Sequence, residues 1–384
     1  MAQGHPSGQH QTRLTSAADL TVRTAVAAVL LLLLFAGCAF FNVVEGPAHG
    51  EQVLFFPSLA SVSSDNRWRL TIQGRVFEPA EGSRGRQALI DSLAPLIGAS
   101  PTDALFRARA GSFVSDSSRN TRVSVQIGDH VIPLAASDAA GYFTADIALT
   151  DDEVVRLAKE GRIAFRSLPT AGNPERFPGN VVLVPDKGIT VITDMDDTIK
   201  VTDILNQTEK VANTFLRPFR AVPGMPDLYR SWQEALGPGI HFHVVSAGPW
   251  QLNEPLRRFT EEAGFPVFTW DMRSVDIGDV RVLLGELNPP PNALYDFKVE
   301  KIRAFMTRFP NRHVVLVGDS GEKDPEVYAT ILSEFAERVD AVFIRNVSRE
   351  DQKARYERLF PGKEARMKLK VFQNPKELPP LSSR

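Results

Sequence analysis

From residue 181 onward the chain alternates short apolar runs of β type with amphipathic helical stretches, and few architectures accept that alternation. The runs ITVIT (189–193), IHFHVVS (240–246), HVVLVG (313–318) and AVFIRN (341–346) are nearly continuous in apolar residues, as strands covered on both faces are. Helical stretches fall between them, at about 226–236, at 250–263 closed by Gly264, at 299–308 stopped by Pro310, and after Pro325; a further strand is predicted near 267–270. The pattern predicts an α/β fold: a Rossmann-like, mostly parallel sheet with helices on both faces, occupying residues 181–384. Such sheets bind ligands beyond the carboxyl ends of their strands, beside the point where strand order reverses. Polar residues fall at those ends here. Asp194 and Asp196 follow the first run, Ser246 the second, and Asp319 the run VVLVG.

The first of these ends, VITDMDDTIK (191–200), crowds Asp194, Asp196 and Asp197 into four positions. Carboxylates this close repel one another unless a cation holds them, and a small hard ion such as Mg²⁺ binds through one or two carboxylates with water and substrate oxygens completing its shell. A catalytic metal site is the expectation. On this stretch alone an acidic turn capping a helix is the competing account, since Asp and Thr serve that purpose routinely.

Ahead of this region lie alternating runs, VLFFP, WRLTIQGRVF (68–77), TRVSVQIG (121–128), VIPLA and YFTADIAL (142–149), separated by Gly and Asp turns. They predict a smaller β-rich domain over residues 51–180, with residues 86–97 the one helical segment and no chemistry of its own. At the N-terminus Arg13 and Arg23 precede the eleven-residue run AVAAVLLLLLF (25–35) and then Ala36, Gly37 and Cys38. That order describes a secretory signal rather than a spanning helix of about twenty residues. Cys38 is the only cysteine, so no internal disulfide forms, and its place after FAG resembles a bacterial lipobox in which it would be lipidated. The expectation is a signal over 1–38, a linker over 39–50, and an exported body held at the extracytoplasmic face of a bacterial membrane; an uncleaved anchor over 25–44 is the alternative. A formal net charge of −2, with 23% charged residues, gives no sign of a nucleic-acid partner.

The acids at 194 and 196 with Thr198, the strand-ending Ser246, Lys298 before a helix, and GDSGEKD (318–324) together resemble the haloacid dehalogenase superfamily of phosphotransferases. In finer detail DMDDTIK, VPGMP (222–226), VVSAGPWQL (244–252) and FPNRHVVLVGDSGEKDPEVY (309–328) resemble its actin-patch-type phosphatidate phosphatase catalytic family, over roughly the last half of the chain. The stretch PVFTWDMRSVDIGDV (266–280) departs from that pattern, at the edge where substrate would sit. The resemblance implies an Mg²⁺-dependent phosphomonoester hydrolase acting through an aspartyl-phosphate. Asp194 would be the nucleophile and Asp196 the acid and base. Mg²⁺ would be held by the Asp194 side chain, the Asp196 backbone carbonyl and Asp319, with Asp324 behind them; Thr198 completes the motif, and Ser246 and Lys298 would face the phosphoryl oxygens.

Ordinary roles compete for several of these positions: Ser246 as a helix N-cap, Asp324 as the cap of the helix at Pro325, and Lys301 in place of Lys298. His241 and His243 share a strand face but lack a third ligand, so they are expected to be plain strand residues. The insert 201–221 mixes Phe215, Leu216 and Phe219 with Arg217 and Arg220. That mixture suits an acyl chain beside an anionic head, and equally suits packing on the body. The expected substrate is phosphatidate or a related lipid phosphate met at a membrane surface. The alternatives are a soluble extracytoplasmic phosphomonoester or a non-catalytic surface lipoprotein.

Overall fold

Alternation in the front half builds a sheet. In the computed structural model, which describes residues 43–63, 67–275, 289–348 and 351–382, each of the five alternating runs becomes a strand, and three further principal strands, Ser58–Val62, Arg162–Ser167 and Pro178–Leu183, lie where the sequence reading placed none. In chain order these are β1 (Gln52–Phe55), β2 (Ser58–Val62), β3 (Trp68–Glu78), β4 (Thr121–Ile127), β5 (His130–Ala136), β6 (Tyr142–Leu149), β7 (Arg162–Ser167) and β8 (Pro178–Leu183). They pair in the order β4-β7-β8-β2-β3-β1, with β5 on β4 and β6 on β3. Along β4 every second residue, Thr121, Val123, Val125 and Ile127, points inward, the period-two pattern read from the sequence. Leu70, Ile72, Ile163 and Val181 join Val123, Val125 and Ile127 in one apolar core.

This half also carries two ten-residue helices. The segment expected to be helical forms α1 (Arg84–Leu93) and a short 3₁₀ turn at Ala94–Ile97. A second helix, α2 (Ala104–Phe113), escaped the sequence reading. It is capped by Asp103, whose carboxylate accepts from the Phe106 amide at 2.8 Å. Its buried face, Phe106, Arg109, Ala110 and Phe113, carries an arginine in mid-stripe, and that blurs the apolar periodicity.

The rear half contains β9 (Gly188–Thr193), β10 (Ile240–Pro249), β11 (Phe268–Arg273), β12 (Arg312–Asp319), β13 (Val339–Arg345) and β14 (Leu369–Phe372). Their spatial order is β11-β10-β9-β12-β13-β14, and the pairings are all parallel. Counted within this half the order is 3-2-1-4-5-6, which reverses between its first and fourth strands. Val191, Val315, Val317 and Phe343 face one layer, with α3 (Met225–Leu236) and α4 (Asn253–Glu262). Ile192, Val245, Leu316 and Val342 face the other, with α5 (Pro291–Arg308) and α6 (Asp324–Glu334). Helix α5 begins eight residues earlier than the sequence suggested, because Pro291 takes the first helical position, where its missing N–H costs nothing. Strand β14 carries no signal in the sequence, because its four residues are too short to reveal alternation.

Residues 45–384 form one compact unit. Phe56, Ile90, Phe106 and Phe113 of the β-rich half share an apolar core with the rear sheet. No helix among the described residues is long and apolar enough to cross a membrane. The expected signal and Cys38 lie outside the described residues, as do residues 276–280 of the divergent stretch.

Candidate active site

The strand-order reversal places the ends of β9 and β12 side by side, and the first acid of the motif sits at that junction. Asp194 donates its backbone N–H to Val317 O at 2.9 Å, and its side chain is buried. Asp319 ends β12, and Asp324 opens α6. Carboxylate oxygens of Asp194, Asp319 and Asp324 all lie within 4.8 Å of one another. Gly318 lets this happen, since a β-carbon there would collide with the Asp324 carboxylate. Asp324 accepts from the Asp319 amide at 3.2 Å, and Asp319 from the Gly321 amide at 2.5 Å.

One ammonium faces these three acids. Lys298, projecting from α5 and only 2% exposed, donates to Asp194 Oδ1 at 2.8 Å and to Asp324 Oδ1 at 2.5 Å. Lys301 lies at the surface beside Glu300. Burial, and then the neighbouring acids, raise the carboxyls of Asp194 and Asp319 well above the usual range, with Lys298 opposing. Burial also disfavours the charge on Lys298, but Asp194 and Asp324 outweigh it and hold the ammonium well above its ordinary value. Negative charge therefore exceeds positive. Asp194 Oδ2 and Asp319 Oδ2 are buried without a hydrogen-bond partner, each a polar atom that costs about 1–3 kcal/mol when left unsatisfied. Surplus charge and orphaned oxygens on one face are what a divalent cation bound by hard oxygen ligands would resolve, so these residues fit one.

The other two acids of the motif do not crowd against Asp194. Asp197 adopts a left-handed backbone, φ 54°, and its carboxylate accepts from the amides of Thr202, Asp203 and Ile204 at 2.9, 2.9 and 2.6 Å. Three backbone donors satisfy it, so it anchors the insert and needs no ion. The Asp196 side chain, 28% exposed, turns toward Lys200 Nζ at 2.8 Å and Thr202 Oγ1 at 2.5 Å. Burial works against its ionisation, but Lys200 and Thr202 prevail and hold the carboxyl below the ordinary range.

Ser246 is buried, and its Oγ accepts from the Gly248 amide at 3.1 Å. That bond makes a tight turn rather than a helix cap. Thr198 is buried with an unpartnered hydroxyl. His241 and His243 both bond Thr269 Oγ1, at 2.9 and 2.8 Å, and His243 also contacts Asp271, so they brace adjacent strands.

Asp194, Asp196 and Ser246 line a narrow cleft of about 70 Å³ that opens to solvent. Lys200 and Lys210 flank it, and Phe219, Leu252, Leu256 and Leu294 form an apolar wall. Lys200, Lys210 and Glu322 were missed by sequence reasoning; only the i, i+4 spacing of Asp196 and Lys200 pointed to any of them. Of the insert's apolar residues, Phe215 is a core residue against Phe113, with ring centroids 5.6 Å apart, and does not line the cleft. Arg217 is taken up by Glu209.

Residues 189–346 match the family model described as phosphatidate phosphatase APP1, catalytic domain. This segment is similar to the APP1-type catalytic-domain family. Its match contains every strand end that carries the site. An uncharacterized protein of Schizosaccharomyces pombe is 30% identical over 222 residues, covering 55% of this chain and 34% of its own length. Phosphatidate phosphatase APP1 of Saccharomyces cerevisiae is 28% identical over 174 residues, covering 44% of this chain and 28% of its own. The chain thus spans about a third of the length of these curated relatives.

Proposed function

We propose that the chain is an Mg²⁺-dependent phosphomonoester hydrolase of haloacid dehalogenase type, acting on phosphatidate or a closely related lipid phosphate. The observation that carries this reading is the buried Asp194, Asp319 and Asp324 cluster with Lys298, set at the strand-order reversal and opening into a cleft with one apolar wall. Asp194 attacks phosphorus, giving an aspartyl-phosphate and releasing the alkoxide, and water then hydrolyses the acyl phosphate. Lys298 holds the attacking carboxylate in place and faces the phosphoryl oxygens together with Ser246. Asp196 gives its proton to the departing alkoxide and takes one from water in the second step. A phosphoryl dianion beside it pushes its value back up before the first step. Asp194, Asp319, Asp324 and the Asp196 carbonyl would hold Mg²⁺, whose charge would neutralise the phosphoryl oxygens.

Metal binding has a thermodynamic signature. Asp194 and Asp319 are raised in the folded protein, so their contribution to stability is complete below the unfolded carboxylate value, about 4, and is lost as pH rises through the folded values. Mg²⁺ takes the ionised form, so its stabilisation should grow over that rise. Thermal unfolding with MgCl₂ and with EDTA should differ more at about pH 8 than at about pH 5, and at a hundred-fold excess over Kd the gain approaches ~2.7 kcal/mol. An equal or absent difference at both pH values would remove the metal from this site.

The apolar wall supports a lipid ester over a soluble one, because remote acyl contacts can be converted into transition-state stabilisation. Export through residues 1–38 and acylation at Cys38 are part of the same proposal, since they would bring the cleft to a membrane surface. The test compares kcat/KM for phosphatidate in mixed micelles with that for glycerol 3-phosphate, which bears the same phosphoryl group without chains. Phosphatidate should be favoured by about ten-fold or more, and Phe219→Ser should erode that ratio, one buried aromatic contributing ~1.5–3 kcal/mol. Phe215→Ser should instead destabilise the whole body by about 3–5 kcal/mol, since it empties a core position. Equal turnover of the two esters by the wild-type protein would leave a soluble phosphomonoester as the substrate.

A further inference from the structure

Arg109 belongs to α2 in the β-rich half, yet it ends behind Phe219, a residue of the cleft wall. It is 5% exposed, and no carboxylate among the described residues lies within ion-pair distance of it. Nη1 donates to Thr214 O at 2.7 Å and to Arg217 O at 2.8 Å, carbonyls at the end of the Ala212–Leu216 turn where helical partners run out. The guanidinium carbon stacks 3.7 Å from the centre of the Phe219 ring. One side chain thus grips both ends of residues 214–219, and Phe219 presents its remaining surface to the cleft and to Phe259.

An arginine in the middle of an apolar stripe is costly, and burial pushes its pKa down to about 10. A leucine or methionine would fill the space, but it could neither direct two carbonyls nor orient a ring. The neighbouring contacts work in the same sense: Phe113 packs on Phe215, and Phe56 stacks at 4.1 Å on Trp250, just beyond Ser246. The segments that carry Phe219 and Leu252 of the apolar wall are therefore both packed against the β-rich half. We propose that Arg109 is a positioning residue that fixes the Phe219 wall of the cleft and thereby sets discrimination between lipid and small phosphate esters, which makes the β-rich half a working part of the catalytic unit. This role rests on the phosphatase reading of the same cleft.

The test uses the exported body with two variants. Arg109→Met keeps the stem and loses fork and stack; Arg109→Lys keeps the charge and one set of donors but cannot stack. Arg109→Met should lower the ratio of kcat/KM for phosphatidate over glycerol 3-phosphate by about ten-fold, mainly through KM for the lipid, with Arg109→Lys falling between it and wild type. Amide exchange across residues 212–219 should quicken by about ten-fold or more in Arg109→Met, while strands β9 and β12 keep their protection. A folded Arg109→Met protein with an unchanged ester ratio would overturn the proposal, and so would unchanged exchange in that segment. If Arg109→Met fails to fold, the same two readings on Arg109→Lys decide. If the wild-type protein hydrolyses neither ester, the phosphatase reading fails by itself, and exchange across 212–219 still decides whether Arg109 holds the wall.

Discussion

Asp194→Asn is expected to remove turnover, by about 10⁴-fold or more, while leaving the body folded. The amide has the shape of the carboxylate and keeps an oxygen for Lys298, but its oxygen is too poor a nucleophile to displace an alkoxide from phosphorus. The fold should not suffer. Burial and neighbouring acids already hold the Asp194 carboxyl well above the usual range, so an uncharged replacement relieves repulsion and leaves Lys298 paired with Asp324. Thermal unfolding without added metal should give a Tm equal to or above that of the wild type. Single-turnover kinetics with a labelled phosphomonoester should leave no label on the variant protein. Residual activity within about ten-fold of wild type, or label recovered on Asp196, would reverse the roles of the two acids.

The catalytic half was legible because its signals are local. Strands buried on both faces read as continuous apolar runs, and Asp194, Ser246 and Asp319 stand directly at their ends. What the sequence left open is decided over long separations. Nothing in the order of residues says that Asp197 would take three backbone donors and turn away. Phe215 and Phe219, four residues apart in one apolar segment, part company only because Phe113 arrives from the other half of the chain to bury the first. Arg109 is the limiting case: a charged residue in a weakly periodic helix, more than a hundred positions from the segment it holds. Local patterning cannot reveal such a contact, since its partners are two backbone carbonyls and a ring, all distant in sequence.

Lys298→Met should be the most destabilising change in the site, and the size of the loss stems from where the ammonium sits. Lys298 is 2% exposed and lies between Asp194 and Asp324, with Glu322 at 3.9 Å. Removing one partner from a buried ion pair strands the other's charge without solvent and costs about 3–5 kcal/mol, whereas the surface pair of Lys301 and Glu300 is worth about 0–1 kcal/mol. Lys301→Met is therefore the control, and its Tm should stay close to wild type. The stranded acids can escape the penalty by taking up protons. Because Asp194 and Asp319 are already raised, the deficit of Lys298→Met should be smallest at low pH and deepen as pH rises through the folded values of those two groups. Mg²⁺ should recover part of it, by supplying counter-charge to the same oxygens. Adding Asp324→Asn to Lys298→Met should cost less than the sum of the two single changes, because the second removes a charge that the first left unpaired. Denaturant unfolding of the four proteins across pH measures all of this. Strict additivity, or a deficit in Lys298→Met that does not vary with pH, would mean that Lys298 does not balance the acid cluster.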